Sequence, residues 1–420
     1  MNPSRRPTYL AAALVALGLC LPAAAQEEIK IGVIYPLTGA AASTGLELKN
    51  AAQLAADLIN GTDRSLNLPL AGAGGLPKLK GAKLKLVFAD HQGSPQVGAT
   101  EAERLITQEK VAALSGCYFS SVTTTASQTA ERYGVPFLNG ESSSPQLTQR
   151  GFKWFFRTTP HDELFVQNAF EFLRDLEKKK GLKPRRIAIL AENTEFGTGA
   201  AKLQEKYAKE GGYEIVEKVL YPPKSTQLTS EVQKLKAARP DIVMQSSYLG
   251  DAILSMKTYK ELGFVPTALV ANNAGFNDSE FLKTMGKDGD FVISREVWAL
   301  DLAARKPVIA KANELLRARH QVDFNGNSAR AFTAIFALAE AINRAGSTKP
   351  EDIQKALRET NIPADQLIMP WGGIQFDETG QNRKGAGIII QVQGGQKVTV
   401  WPFDLAGKDV IWPFPSWDKR

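Results

Sequence analysis

The chain has 420 residues, more than a single compact core usually holds, so two domains are expected. It is 43 % hydrophobic and 23 % charged, which excludes a mainly disordered chain. Its formal net charge of +7 falls to +5 without the leader described next, too mild to demand a nucleic-acid partner.

Residues 1–25 read as an export signal peptide. Arg5 and Arg6 form its positive end, residues 10–21 are an apolar run too short to span a bilayer, and Ala23, Ala24 and Ala25 supply the small residues of a cleavage site. Gln26 is then the expected mature N-terminus. Cys20 follows the large Leu19, which does not suit lipid attachment. Cleavage leaves Cys117 as the single cysteine, so no intramolecular disulfide is expected. A soluble, monomeric periplasmic protein is the expectation.

After the leader, β-rich runs alternate with helical periodicity. Strands are predicted at 29–35, 83–89, 111–114 and 135–138, with helices at 46–60, 100–108 and 122–133 between them. Residues 61–82 are rich in Gly, Pro and Leu without period and read as a long surface excursion. The pattern restarts with helices at 164–176, 200–209, 228–238 and 252–262, and strands at 186–191, 214–220, 241–245, 268–271 and 291–294. Helices at 308–319, 329–344 and 350–359 precede a β tail at 387–392 and 397–401. The basic run 178–186 reads as a solvated helix end and turn. This order implies two similar α/β lobes with mostly parallel sheets.

Signatures of chemistry are missing. There is no GxSxG, GxxxxGK[ST] or HExxH, and His91, His161 and His320 have no metal-ligand spacing. Cys117 has no sequence-adjacent base and reads as a packed thiol. No cofactor or metal is implied, and the chain is not expected to be an enzyme.

Two loops are rich in hydroxyls. Tyr118-Phe119-Ser120-Ser121 precedes one predicted helix, and Glu141-Ser142-Ser143-Ser144 follows the strand at 135–138, with Ser144 placed as an N-cap before Pro145. In parallel sheets ligands bind beyond the carboxyl ends of strands, where hydroxyls and helix N–H groups suit a ligand carboxylate. Capping alone is the competing explanation.

Residues 31–39 (Ile-Gly-Val-Ile-Tyr-Pro-Leu-Thr-Gly), 116–121, 143–148, 156–160 and 187–190 followed by Glu195-Phe196-Gly197 resemble, in order, the leucine/isoleucine/valine-binding branch of type I periplasmic binding proteins. The resemblance implies two Rossmann-like lobes joined by three crossover hinges, with a small-molecule ligand between them and an ATP-driven inner-membrane permease as partner. It divides the chain into 26–159 with about 296–365, and about 160–295 with 366–420. It places carboxylate donors on Ser120, Ser142 and Ser143, contacts on Tyr118 and Phe119, and aromatic walls on Phe196 and Tyr248. The acid that would hold a ligand ammonium is absent, with Ala274 at its best-matched position. Glu141 stands where the family often has a small residue, and Arg330 opens a helix whose first turn faces the ligand; a surface or hinge role for Arg330 is the other reading. These departures favour a carboxylate or amide without an ammonium over leucine, isoleucine or valine. An exported hydrolase, or a receptor for a signalling partner, are the rival functions.

Overall fold

This computed structural model describes residues 27–420, so the leader, Cys20 and the expected N-terminus at Gln26 lie outside the described residues. β1 (Glu28–Tyr35), β2 (Lys83–Asp90), β3 (Ala113–Gly116), β4 (Phe137–Asn139) and β5 (Phe155–Arg157) pair in parallel in the order β2-β1-β3-β4-β5. The next five strands are β6 (Arg186–Glu192), β7 (Glu214–Tyr221), β8 (Ile242–Ser246), β9 (Ala268–Ala271) and β10 (Ile293–Glu296). They repeat the arrangement as β7-β6-β8-β9-β10. The chain then makes a small antiparallel pair, β11 (Asn361–Pro363) with β12 (Gly373–Gln375). It ends the second sheet with antiparallel β13 (Ile388–Gln393) and β14 (Gln396–Trp401).

Both halves are doubly wound, and each reverses strand order beside its first strand, which opens a crevice at the carboxyl ends there. The first sheet is apolar on both faces. Ile31 and Val33 pack into one cluster while Ile34, Leu114 and Phe137 pack into another. The intervening helices are α1 (Ala42–Asn60), α2 (Pro95–Thr107) and α3 (Ser120–Tyr133) in the first half. In the second they are α4 (Asp162–Lys180), α5 (Glu195–Glu210), α6 (Thr229–Ala238), α7 (Leu249–Glu261) and α8 (Ser279–Met285). α9 (Pro307–His320), α10 (Gly326–Ala345) and α11 (Pro350–Arg358) return to the first half, where α10 packs along α1. The chain therefore passes between the lobes three times: after β5, after β10 and before β13. This is the type I periplasmic binding protein architecture expected from the sequence.

Three local expectations need correction. Residues 61–82 are not a surface excursion, since Leu66 and Leu76 are fully buried in the core of the first lobe. The N–H groups of Gly72, Gly74 and Gly75 bond the carbonyls of Leu58, Gly61 and Ile59, folding the segment onto the end of α1. Pro145 opens only a single 3-10 turn, Pro145–Thr148, and the Ser144 hydroxyl caps nothing. It donates instead to Gln146 and to Glu195 of the other lobe. The strand predicted at 291–294 begins at Ile293, where parallel pairing with β9 starts; Phe291 takes φ +71°, though its N–H still bonds Val392. That shift brings Arg295 into the carboxyl end of β10.

The lobes touch across the cleft. Besides Ser144, Thr124 bonds Glu195 at 2.7 Å, Arg295 reaches Ser143 at 3.3 Å, and the ring centroids of Phe119 and Tyr248 stand 4.1 Å apart. Among the described residues no helix is long and apolar enough to cross a membrane.

Candidate ligand-binding cleft

Loops at the carboxyl ends of both sheets meet around a narrow pocket with about 10 Å³ of free space, so the lobes stand nearly closed on it. After β3, Tyr118 and Ser120 enter it; after β4, Glu141 and Ser143; from the second lobe come Phe196, Tyr248, Asn273, Ala274 and Arg295; and α10 contributes Arg330. Eight of the ten residues proposed from sequence share this one space.

The other two stand outside its walls. Phe119 lines the cleft mouth, its ring against His91 and Tyr248. Ser142 is buried, with its hydroxyl bonded to Thr123 at 2.6 Å and donating to the Tyr118 carbonyl at 3.0 Å. It braces one serine loop against the other.

Arg330 is no surface arginine. α10 is buried nearly all round, as expected of a helix apolar on every side, and Arg330, one turn in from its start, is 2 % exposed. Asn325 and Ser328 cap the first turn of α10 reciprocally. Gly140 permits the close approach of α10: a Cβ there would lie 3.0 Å from the Arg330 carbonyl oxygen and 3.1 Å from the Ala334 Cβ. The guanidinium donates to the carbonyls of Gly326 and Glu141, each at 3.1 Å, and to the amide oxygens of Asn273 and Asn327. All four acceptors are neutral. Among the described residues no carboxylate lies within 4.0 Å of it.

Arg295 and Asn273 were missed from sequence. Arg295 Nη2 approaches Asp162 and Ser143, both at 3.3 Å, Nε donates to Asn272 at 2.9 Å, and the guanidinium lies 3.9 Å from the Phe165 ring centroid. Burial lowers its pKa to about 10, partly opposed by Asp162. Its Nη1 is buried with no partner. A signal was available, since Arg295 directly follows the strand predicted at 291–294, and ligand contacts concentrate beyond strand ends.

Glu141 Oε1 accepts the Tyr35 hydroxyl at 2.9 Å, and Oε2 has no partner. Burial pushes this carboxyl up to about 7, against the pull of the Tyr35 hydrogen bond and Arg330. The Tyr118 hydroxyl is likewise buried and unpaired. Tyr118, Asn273 and Ala274 all take positive φ, of 80°, 57° and 53°, so strained backbone gathers at this pocket. Buried polar atoms without partners, held on strained loops, mark a surface built to meet another molecule. Cys117 has no such character. It is fully buried, burial pushes its thiol far up, and His91 bonds its carbonyl oxygen.

Residues 28–397 match the profile of the family described as periplasmic binding protein. The chain belongs to that family. Among curated relatives, the Leu/Ile/Val-binding protein homolog 8 of Brucella abortus (strain 2308) is 29 % identical over 399 residues, covering 93 % of this chain and 95 % of its own. The leucine binding protein of Thermotoga maritima has the same fold, with a TM-score of 0.75 at 21 % identity over 90 % of this chain and 99 % of its own. So does an R. palustris solute binding protein solved with benzoate, with a TM-score of 0.75 at 16 % identity, covering 89 % and 95 %. In this periplasmic binding protein the pocket lies where two doubly wound lobes present their switch points to each other.

Proposed function

We propose that this protein captures a small organic carboxylate between its lobes in the periplasm and delivers it to an ATP-driven inner-membrane permease, without chemistry of its own. The leader supports export. The lobes of this reading are 27–159 with about 297–376, and about 160–296 with the β tail, since Trp371, Ile374 and Phe376 pack with α1 and α10 whereas β13 and β14 complete the second sheet. The ligand docks on one lobe, the lobes close, and the closed form is recognised by the permease.

The observation that carries the ligand class is Arg330, a buried cation with only neutral partners. Asp162 balances Arg295, so a neutral Glu141 leaves the pocket one positive charge in excess. A monoanion beside Ser120, Ser143 and the free Arg295 Nη1 removes that excess, and the rings of Tyr118, Phe196 and Tyr248 suit a flat apolar body. An aromatic or similar organic acid meets both conditions.

A second reading rests on Glu141 Oε2. If Glu141 ionises, the pocket is neutral and an α-amino acid fits, with its ammonium on that oxygen. A thermal-shift panel separates the two. Strong stabilisation by benzoate-like acids with little from leucine or valine supports the first reading; the reverse order rejects it.

The double variant Ser120→Ala/Ser143→Ala is expected to weaken an acid ligand by about 1.5–3 kcal/mol for each hydrogen bond to charge that is lost. The fold should persist, because both hydroxyls face the pocket. Calorimetry showing unchanged affinity would mean that neither hydroxyl meets the ligand.

A further inference from the structure

The cleft has a larger space that the carboxylate pocket does not use. It is an open groove of about 430 Å³ at the mouth, outside the ring pair Phe119–Tyr248. Pro36, Pro95 and Phe119 line it from one lobe, and Glu192, Tyr248 and Asp251 from the other.

Glu192 ends β6 and is 1 % exposed. Its Oε1 accepts the Thr194 hydroxyl at 2.7 Å, while Oε2 is buried without a partner. Burial pushes this carboxyl up to about 8, with the charge of Asp251 adding to the effect. Asp251 is itself pushed up to about 6 by burial. Lys224 lies in the same groove, but it gives Asp251 only its backbone N–H, at 3.4 Å, and its ammonium ion-pairs with neither acid among the described residues. The cleft is thus polarised: arginines inside, acids without a cationic partner at the mouth, with Glu192 keeping its proton until a cation lies beside it and releasing it on binding. Carboxylates facing aromatic rings and prolines suit an organic ammonium, which gains hydrogen bonds from the acids and cation–π attraction from the rings.

We propose that this groove is a second ligand site, taking a small primary amine on an apolar or aromatic body, with its ammonium on Glu192. The proposal does not rest on which molecule the inner pocket takes. Both lobes line it, so its occupancy favours the closed form and, by linkage, tightens ligand binding in the inner pocket.

Benzylamine, cationic at pH 7, is the probe, titrated calorimetrically into the mature chain with benzyl alcohol as the uncharged control. Saturable binding is expected, weaker by about tenfold or more in Glu192→Gln. It should also weaken in Asp251→Asn and persist when the inner pocket is saturated with the tightest acid of the panel. Absence of saturation at millimolar benzylamine overturns the proposal, as does equal affinity in a folded Glu192→Gln protein or equal binding of benzyl alcohol. Competition between the acid and benzylamine would put the amine in the inner pocket and also overturn it.

Discussion

Arg330→Met is expected to weaken an anionic ligand by roughly 3 kcal/mol or more, about two orders of magnitude in affinity. The guanidinium is buried, carries no carboxylate partner of its own, and lines the pocket beside Ser120 and Ser143. Methionine fills similar volume but removes the charge that favours an anion over water. The free protein should also lose stability, because the Glu141 carbonyl and the amide oxygens of Asn273 and Asn327 would each lose a donor. Arg330→Lys keeps the charge, yet one ammonium cannot span acceptors placed around a planar fork, so it should recover only part of the affinity. Calorimetry measures the first effect and thermal denaturation the second. Wild-type affinity in a folded Arg330→Met protein would remove the basis for the ligand class.

The ligand-free protein is expected to lose stability as pH rises from about 5 to about 7, and Glu141→Gln to remove roughly 3 kcal/mol of that loss. In the unfolded chain this carboxyl ionises near its usual 4.5; in the folded protein burial holds the proton to about 7. Between those values the folded state binds more protons, so its stability falls as pH rises. Below the usual value both states are protonated and the full stability is present. Burial pushes Glu47 up to about 7 as well, with Asp278 across the lobe interface adding to it, so part of the slope survives in the variant. Urea denaturation at pH 5, 6, 7 and 8 gives both slopes. Parallel slopes would show that Glu141 ionises normally in the folded state.

The fold was largely readable because its signals are local. Strand–helix alternation, and the restart after residue 160, announce two doubly wound lobes. The loops carrying Tyr118, Ser120, Glu141 and Ser143 follow predicted strands or precede predicted helices, where a parallel sheet exposes its binding surface. Arg295 was lost to a two-residue shift in one strand: parallel pairing with β9 starts only at Ile293, after a positive φ at Phe291 that composition does not reveal. β5, β11 and β12 have three residues each, too few to show a period. The burial of Leu66 and Leu76 depends on hydrogen bonds from a glycine-rich turn to the end of α1, a contact without periodic trace. Ser142 and Ser143 are neighbours of one type, and only the three-dimensional arrangement assigns one to bracing and the other to the pocket. Sequence marked Arg330 as unusual but left open whether it faced solvent or ligand, which depends on how closely α10 approaches Gly140.

The most direct test of anion capture is the pH dependence of affinity, measured by calorimetry between pH 7 and 9 with the tightest acid of the ligand panel. Glu141 faces Tyr35 and Arg330, and it must stay neutral while an anion lies beside it. Binding then takes up a proton, and affinity should fall by up to about tenfold for each pH unit above the pKa near 7. Affinity that rises over the same range, with leucine or valine as the tightest ligand, would show an ionised Glu141 holding an ammonium and would contradict the account.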